Sequence, residues 1–493
     1  NRGRDQSLGL MSDAQTRNLA PANWDLGDRF VLEQGFTVAF LGWQFDVEPD
    51  AGLTFQAPIA PVEGLVRATY IDSGVGNRPR GFAVAHCAAD PSQATATLTF
   101  RARFEDPPTP IARDAWQFTP DGCAVLVKPA EQAGVFEAVY TAKGSAVAGL
   151  GLAAIRDFTS YLKYGGRIST LRETPQLSQR VVGFGYSQSG RLLREFVRDG
   201  FNRDERGRKA FDALMIASAG AGAGSFNHRF AMPGQAGNSV LSILRPVDLP
   251  PFIDADLLAR SRADNVTPRI FYTLTSTEYW ARAGSLTHTT DDGLRDVALA
   301  PSSRLYFLTG TAHASGPQPR QRGERFRGYT YGLNFAEQRW VLRALLLDLE
   351  AWIRSDTAPP ASAYPTIARS ELVPRERVRF PLIPGLPFAE HVRGECGVRT
   401  FENLAGDARL VVPCAPGPDP RPQSHAHLAA FLRGATPHEI RELWAEVARA
   451  VEARLSASPA PCWVSTSGLG VSWVHVRIDE RPKYYAHGPY RTA

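Results

Sequence analysis

The stretch Val181-Val-Gly-Phe-Gly-Tyr-Ser187-Gln-Ser-Gly-Arg-Leu-Leu-Arg-Glu-Phe-Val197 decides how the rest of the chain is read. Val181 to Phe184 form a short apolar run suited to a buried strand. Leu192, Leu193, Phe196 and Val197 then recur at helical spacing, and Gly200 supplies a stop. Strand, tight turn and helix therefore follow within a few residues, with Ser187 in the turn. Such a turn forces its central residue into a strained backbone and needs small neighbours, which Gly185, Ser189 and Gly190 provide. Ser189 stands where a second glycine is usual in G-x-S-x-G. The start of the helix leaves free amides beside Ser187, beginning with Gln188 N–H, where a developing oxyanion would sit. The competing reading is a serine that only caps the helix.

The chain has 493 residues, more than one hydrophobic core normally organises. Hydrophobic residues make up 43% and charged residues 21%, an ordinary globular balance that argues against disorder. The net charge of +5 is carried by arginines scattered among acids, which gives no basic stripe for a nucleic-acid partner. No apolar stretch is long enough for a membrane helix. Five cysteines without C-x-x-C spacing indicate neither a zinc site nor a disulfide scaffold. They leave the compartment open, with a lean to the cytoplasm. The start at Asn1, without methionine or an apolar leader, reads as a processed or partial N-terminus. No cofactor motif is present, and the oligomeric state is not legible.

Outward from Ser187, residues 35–47 read as a buried strand preceded by a short helix. Residues 48–143 change texture to short alternating runs (65–71, 95–104, 122–128, 134–140) parted by Pro and Gly turns, a β-rich insertion. Leu152, Ile155, Phe158 and Leu162 mark a helix. Further strands are expected at 211–219, 269–277 and 303–309, and a helix at 335–354 with Asn334 as N-cap. This alternation implies an α/β fold, a doubly wound and mostly parallel sheet. A glycine-rich excursion at 220–265 would overhang the active face. After a proline-rich connection at 355–395, residues 396–493 form a small C-terminal α/β domain. Its signals are a strand at 410–414, a helix capped by Thr436 to Glu439, and a strand pair, 462–467 with 471–479, joined across Gly468-Leu469-Gly470.

A serine hydroxyl needs a neutral imidazole to take its proton, itself oriented by a carboxylate. Glu278 falls at the end of the 269–277 strand and His313 just beyond the 303–309 strand, in the order serine, acid, histidine. His288 and His228 are the reserve bases; Asp291, Asp292 and Asp296 are the rival acids. Trp43, Phe226 and Trp280 are candidates to line a substrate pocket, against the commoner core role of aromatics. No metal cluster stands out; His425 and His427 lie in a proline-flanked linker.

Seven segments in order, GLGLAAIRDFTSYLK (149–163), GYSQSGRLLREFVRDGFN (185–202), SFNHRF (225–230), TEYWARAGSLTHT (277–289), YFLTGTAH (306–313), RALLLDLEAWI (343–353) and APPASAYP (358–365), resemble a bacterial α/β-hydrolase domain family of esterase-like proteins. The resemblance covers roughly residues 1–385. It implies an α/β-hydrolase fold built from residues 1–47 and 144–395, with Ser187, Glu278 and His313 as nucleophile, acid and base acting on a small-molecule ester. In that family Asn1-Arg2-Gly3 would follow a strand lacking here, whose loop would supply the second oxyanion amide. From 396 onward, FENLAGDARLVVPC and WVSTSGLGVSWVHVRIDERPKYY resemble a different domain family of unknown function, so the chain reads as a fusion. The expected activity is ester hydrolysis through an acyl-enzyme. The alternatives are an acyltransferase using the same residues and a hydrolase shell that only binds.

Overall fold

The computed structural model describes residues 30–39, 41–46, 56–72, 81–102, 106–127, 134–165, 180–222, 224–233, 251–290, 293–313, 336–374, 377–379 and 384, and four short strands beyond. The site stands on a four-stranded parallel sheet. Its strands are β8 (Val182–Tyr186), β9 (Ala213–Ala217), β10 (Arg269–Thr275) and β11 (Ser303–Leu308), in the order β11-β10-β9-β8. The register is continuous, with Tyr186 beside Ala217 and Thr273 beside Ala217 on the other flank. All four strands therefore finish at the same edge, the edge where ligand sites of parallel sheets are built.

Alternation along the strands sends side chains into two cores. Leu214 and Ile216 pack with Leu152 and Ile155 of α2 (Leu150–Ser160), with Leu192, Leu193 and Phe196 of α3 (Gln188–Arg198), and with Leu258 between α4 (Asp254–Leu257) and α5 (Ala259–Ala263). Ala213, Met215 and Ala217 face the other way, onto Leu342, Leu345, Leu349 and Trp352 of α7 (Arg339–Ser355) and Val31 of α1 (Phe30–Glu33). The sheet is thus covered on both faces, and its strands read as continuous apolar runs for that reason.

Two expectations shift here. Residues 36–39 and 41–46 are irregular rather than a strand. Phe36 and Val38 still pack on the α7 side of the core, and the carbonyl of Trp43 lies where a Cβ on Gly151 would come within 2.4 Å. The apolar content of this run is used for packing without sheet hydrogen bonds. The helix expected at 335–354 starts at Arg339, with Gln338 rather than Asn334 at its cap, and Asn334 lies outside the described residues.

The described strands between residues 59 and 146 are antiparallel. One sheet has the order β1-β7-β3-β4, from β1 (Ile59–Asp72), β7 (Gly134–Ala146), β3 (Thr97–Arg101) and β4 (Thr109–Ile111). The other, β2-β6-β5, is made of β2 (Gly81–Ala83), β6 (Ala124–Val127) and β5 (Trp116–Phe118). They share one core, in which Val66, Ala68, Phe136, Ala138 and Leu98 meet Phe82, Val125, Trp116 and Phe118. Cys87 and Cys123 form a disulfide in this region, contrary to the reading that found no disulfide signal. Chain pairing explains it: Ala88 N–H donates to the Gly122 carbonyl and Ala88 bridges to Ala142, which brings the two cysteines side by side. No spacing rule could reveal a contact made by strand register.

On the other face of the larger sheet, Glu137 stands opposite Thr69 and Thr99. Arg67 and Arg101, each two residues from those partners, point the same way. Both guanidinium groups pair with the Glu137 carboxylate, Arg67 at 3.3 Å, and all three side chains are nearly fully buried. Glu137→Leu should destabilise the protein by about 3–5 kcal/mol, because it removes the buried carboxylate that both guanidinium groups share. A chemical-denaturation midpoint checks this, and an unshifted midpoint would refute it.

In the C-terminal region the described strands pair as β12 (Leu410–Pro413) with β13 (Pro461–Val464), and β14 (Val474–Arg477) with β15 (Lys483–Ala486). Among the described residues the expected pairing of the 462–467 run with the 471–479 run is not seen; Pro461–Val464 pairs with Leu410–Pro413, and Val474–Arg477 pairs with Lys483–Ala486, a strand that the sequence pattern does not mark. The helix expected from Thr436 lies outside the described residues.

Candidate active site

Ser187 lies between β8 and α3 as the residue before the helix, with a positive φ of 59° and ψ −113°. Such a backbone is strained for any residue with a Cβ and is characteristic of functional turns. Two close approaches make the turn possible. A Cβ on Gly185 would fall 2.5 Å from the Ser189 carbonyl oxygen, and one on Gly190 would fall 2.9 Å from Ala219 Cβ. Gly190 therefore meets the need for a small residue one place after Ser189. The Ser187 hydroxyl makes no capping bond with its own helix. Its Oγ lies instead 2.8 Å from His313 Nε2. A serine that served only as a cap would spend that hydroxyl on the helix amides.

His313 follows β11 by five residues, and its Nδ1 lies 2.6 Å from Glu278 Oε1. The carboxylate belongs to α6 (Ser276–Ala281), so it sits in a helical first turn, three residues after β10 ends, rather than at the end of a longer strand. Thr275 and Glu278 form a capping box: Thr275 Oγ1 accepts from Thr277 N–H at 3.2 Å, while Glu278 Oε2 accepts from Thr275 N–H at 2.6 Å and from its hydroxyl. One oxygen of Glu278 thus fixes the helix start and the other faces the imidazole. The carboxyl is fully buried, and burial pushes its pKa up. The hydrogen bonds from His313 and Thr275 outweigh that effect and hold it below the ordinary value, so it is ionised at neutral pH.

The other candidates fall elsewhere. His288 is fully buried, with Nε2 2.8 Å from the Tyr279 hydroxyl and its ring 4.4 Å from that of Tyr364. Burial lowers its pKa to about 4, so it is a neutral core histidine. His228 bonds to Ser225 Oγ and the Arg229 carbonyl. Asp296 accepts from the amides of Ile367 and Ala368, a loop staple, and Asp291 and Asp292 lie outside the described residues. Phe226 is 1% exposed within the core, packed edge-on to Trp43 at 5.3 Å, so it offers no surface to a ligand. Trp43 is half-buried, and the side chain of Trp280 lies outside the described residues.

Gln188 is fully buried, and its Nε2 donates to the Pro233 carbonyl at 2.6 Å and to Gln44 Oε1 at 3.4 Å. This ties the residue after Ser187 to the 41–46 loop and to the 224–233 segment. That segment also reaches the antiparallel sheets, where Phe230 N–H donates to Ser145 Oγ at 2.8 Å and His86 Nε2 lies 3.1 Å from the Ala231 carbonyl. Residues 1–3, expected beside the oxyanion, lie outside the described residues. Among the described residues no cluster of His, Cys, Asp and Glu could hold a metal ion, and no helix is long and apolar enough to cross a membrane.

Sequence reasoning overlooked the polar side chains around His313. Tyr186 and Gln338 both donate to backbone carbonyls of its loop, and Thr277 Oγ1 accepts from its N–H at 3.0 Å. The T-x-x-E spacing of Thr275 and Glu278 was a legible sign of a helix start. A glutamine at the cap of α7, a poor capping residue, was a fainter sign that its side chain acts elsewhere.

Comparison with known families gives two matches. One, described as an alpha/beta hydrolase domain, spans residues 79–383. The other, described as a family of unknown function, spans residues 384–491, beginning somewhat before the boundary expected at 396. No curated protein and no solved structure matches the chain. The first match covers well over half of the 493 residues and contains every group described around Ser187 except the 41–46 loop. The chain belongs to the alpha/beta hydrolase domain family, with a separate domain of unknown function following it.

Proposed function

We propose that this hydrolase is a serine carboxylesterase acting through an acyl-enzyme, on a doubly wound α/β-hydrolase scaffold. The observation that carries the reading is the continuous chain of hydrogen-bond distances from Ser187 Oγ through His313 to buried, ionised Glu278. In this reading His313 Nδ1–H donates to Glu278, which fixes the tautomer and leaves Nε2 to accept the serine proton. Ser187 Oγ attacks the ester carbonyl carbon, and the negative charge that develops on the carbonyl oxygen is met by Gln188 N–H at the start of α3. The tetrahedral centre collapses as the C–O bond to the alcohol breaks, and His313 returns the proton to the leaving oxygen. Water, deprotonated by the same imidazole, then attacks the acyl-serine and releases the acid.

The geometry supports each role. The positive-φ turn lifts Ser187 clear of the sheet edge, and parallel strand ends bring acid and base to that edge from β10 and β11. The 41–46 loop approaches this end of α3 through Gln44, which accepts from Gln188 Nε2 at 3.4 Å, and is a candidate to bring a second amide to the oxyanion. The C-terminal region from residue 384 supplies none of the groups named here.

A fluorophosphonate probe tests this directly. It should modify one residue, Ser187, stoichiometrically, with loss of activity toward short p-nitrophenyl esters. Modification mapped to another serine, or no modification of active protein, would overturn the assignment.

A further inference from the structure

The loop that carries His313 is fastened on two flanks. On the side of Glu278, His313 N–H donates to Thr277 Oγ1 at 3.0 Å, Ser276 N–H to the Thr311 carbonyl at 3.2 Å, and Gly310 N–H to Ser276 Oγ at 3.2 Å. On the opposite flank the fastening comes from two elements far apart in sequence, the end of β8 and the start of α7. Tyr186, the residue before Ser187, donates its hydroxyl to the His313 carbonyl. Gln338, at the start of α7, directs Nε2 to the Ala312 carbonyl at 2.6 Å and lies 3.3 Å from the Tyr186 hydroxyl and 3.4 Å from the His313 carbonyl. Its Oε1 accepts from Ser218 Oγ at 3.3 Å, just past the end of β9.

We propose that Gln338 and Tyr186 are positioning residues for the base, holding the His313 peptide so that its imidazole reaches both Ser187 and Glu278; this rests on the hydrolytic reading of that site. Three features support the assignment. Gln338 is 5% exposed, and its side chain does nothing for the helix it opens, since it makes no capping bond there. Its side-chain hydrogen bonds go instead to the strand-end groups around His313. Burial pushes the Tyr186 phenol up to about 12, so it remains protonated and keeps donating across the working range of pH.

The purpose of two donors is geometric. His313 has to satisfy two hydrogen bonds at once, 2.8 Å on one nitrogen and 2.6 Å on the other, from a loop whose side chain is 36% exposed. The Thr277 bond alone would leave the peptide free to pivot about its amide. Donors on the carbonyl side remove that freedom. They also tie the base to the nucleophile, because Tyr186 and Ser187 are neighbours on one strand end.

Gln338→Met keeps the length of the side chain and removes its donors, and Tyr186→Phe keeps the ring and removes its hydroxyl. In each variant of the full chain, ester turnover should fall about 10- to 100-fold with KM unchanged, the consequence of a base displaced by a fraction of its bond length. The far-downfield proton resonance of the imidazole N–H bonded to Glu278 should be sharp in the wild type and broadened or absent in both variants. A merely structural glutamine would lower stability without moving that resonance. Wild-type turnover and resonance in both variants, or a rise in KM at constant turnover, overturn the proposal. A loss confined to one variant removes the other residue from the assignment. If the wild-type protein neither hydrolyses esters nor takes fluorophosphonate at Ser187, the hydrolytic reading falls, and the resonance still decides whether the two residues hold the imidazole.

Discussion

Ser187→Ala should lower kcat by about a million-fold, because the nucleophile, base and acid act as a unit and removing one member costs nearly as much as removing all. The structure gives a specific reason to expect so complete a loss. Ser187 Oγ is the group to which His313 Nε2 is directed, and the neighbouring hydroxyl, Ser189, sits inside α3 with its carbonyl pressed against Gly185. No second hydroxyl on the turn can take over. Steady-state assays with a short p-nitrophenyl ester measure the effect, and more than a few per cent of wild-type turnover in the purified variant would refute the role. The residual rate should still exceed that in water, since the helix amide and the bound geometry remain.

Glu278→Gln should lower kcat by roughly ten thousand-fold with little change in KM. The amide can present its nitrogen to His313 Nδ1, which would then have to accept and leave Nε2 protonated and unable to take the serine proton. Glu278 adds a complication absent from a carboxylate that only faces imidazole: its second oxygen caps α6 through Thr275. In the glutamine variant the oxygen stays with the Thr275 donors only if the amide nitrogen faces the imidazole, so the cap itself selects the wrong tautomer. The thermal midpoint should therefore change little while turnover collapses. Wild-type activity in Glu278→Gln would remove the residue from the mechanism.

How much of this was legible beforehand can be judged from particular residues. The parallel sheet was, because buried strands on both faces produce unbroken apolar runs such as FDALMIASA, and the spacing of Leu192, Leu193 and Phe196 marked the helix after Ser187. The gathering of Ser187, Glu278 and His313 was legible because parallel strands deliver successive chain segments to one edge. The secondary structure around Glu278 was misjudged, since a Thr-x-x-Glu helix start was absorbed into an apolar strand pattern. Phe226 was misjudged for a related reason: a phenylalanine near a glycine-rich loop looks available, and only packing reveals that Trp43 and the core cover it. The Cys87–Cys123 bond and the Gln338 contacts depend on register between distant segments, which no local pattern encodes.

The positive-φ turn at Ser187 has a bearing on how this protein can be altered. A residue with a Cβ held at φ 59° costs on the order of 1–3 kcal/mol, whereas glycine adopts that conformation freely. Any engineering campaign that ranks substitutions by thermostability alone would therefore be drawn to glycine at position 187 and would reward the variant that has lost its hydroxyl. With Ser187 as the proposed nucleophile, selection for robustness and selection for turnover pull in opposite directions at this one residue, and a stabilised variant has to gain its stability elsewhere.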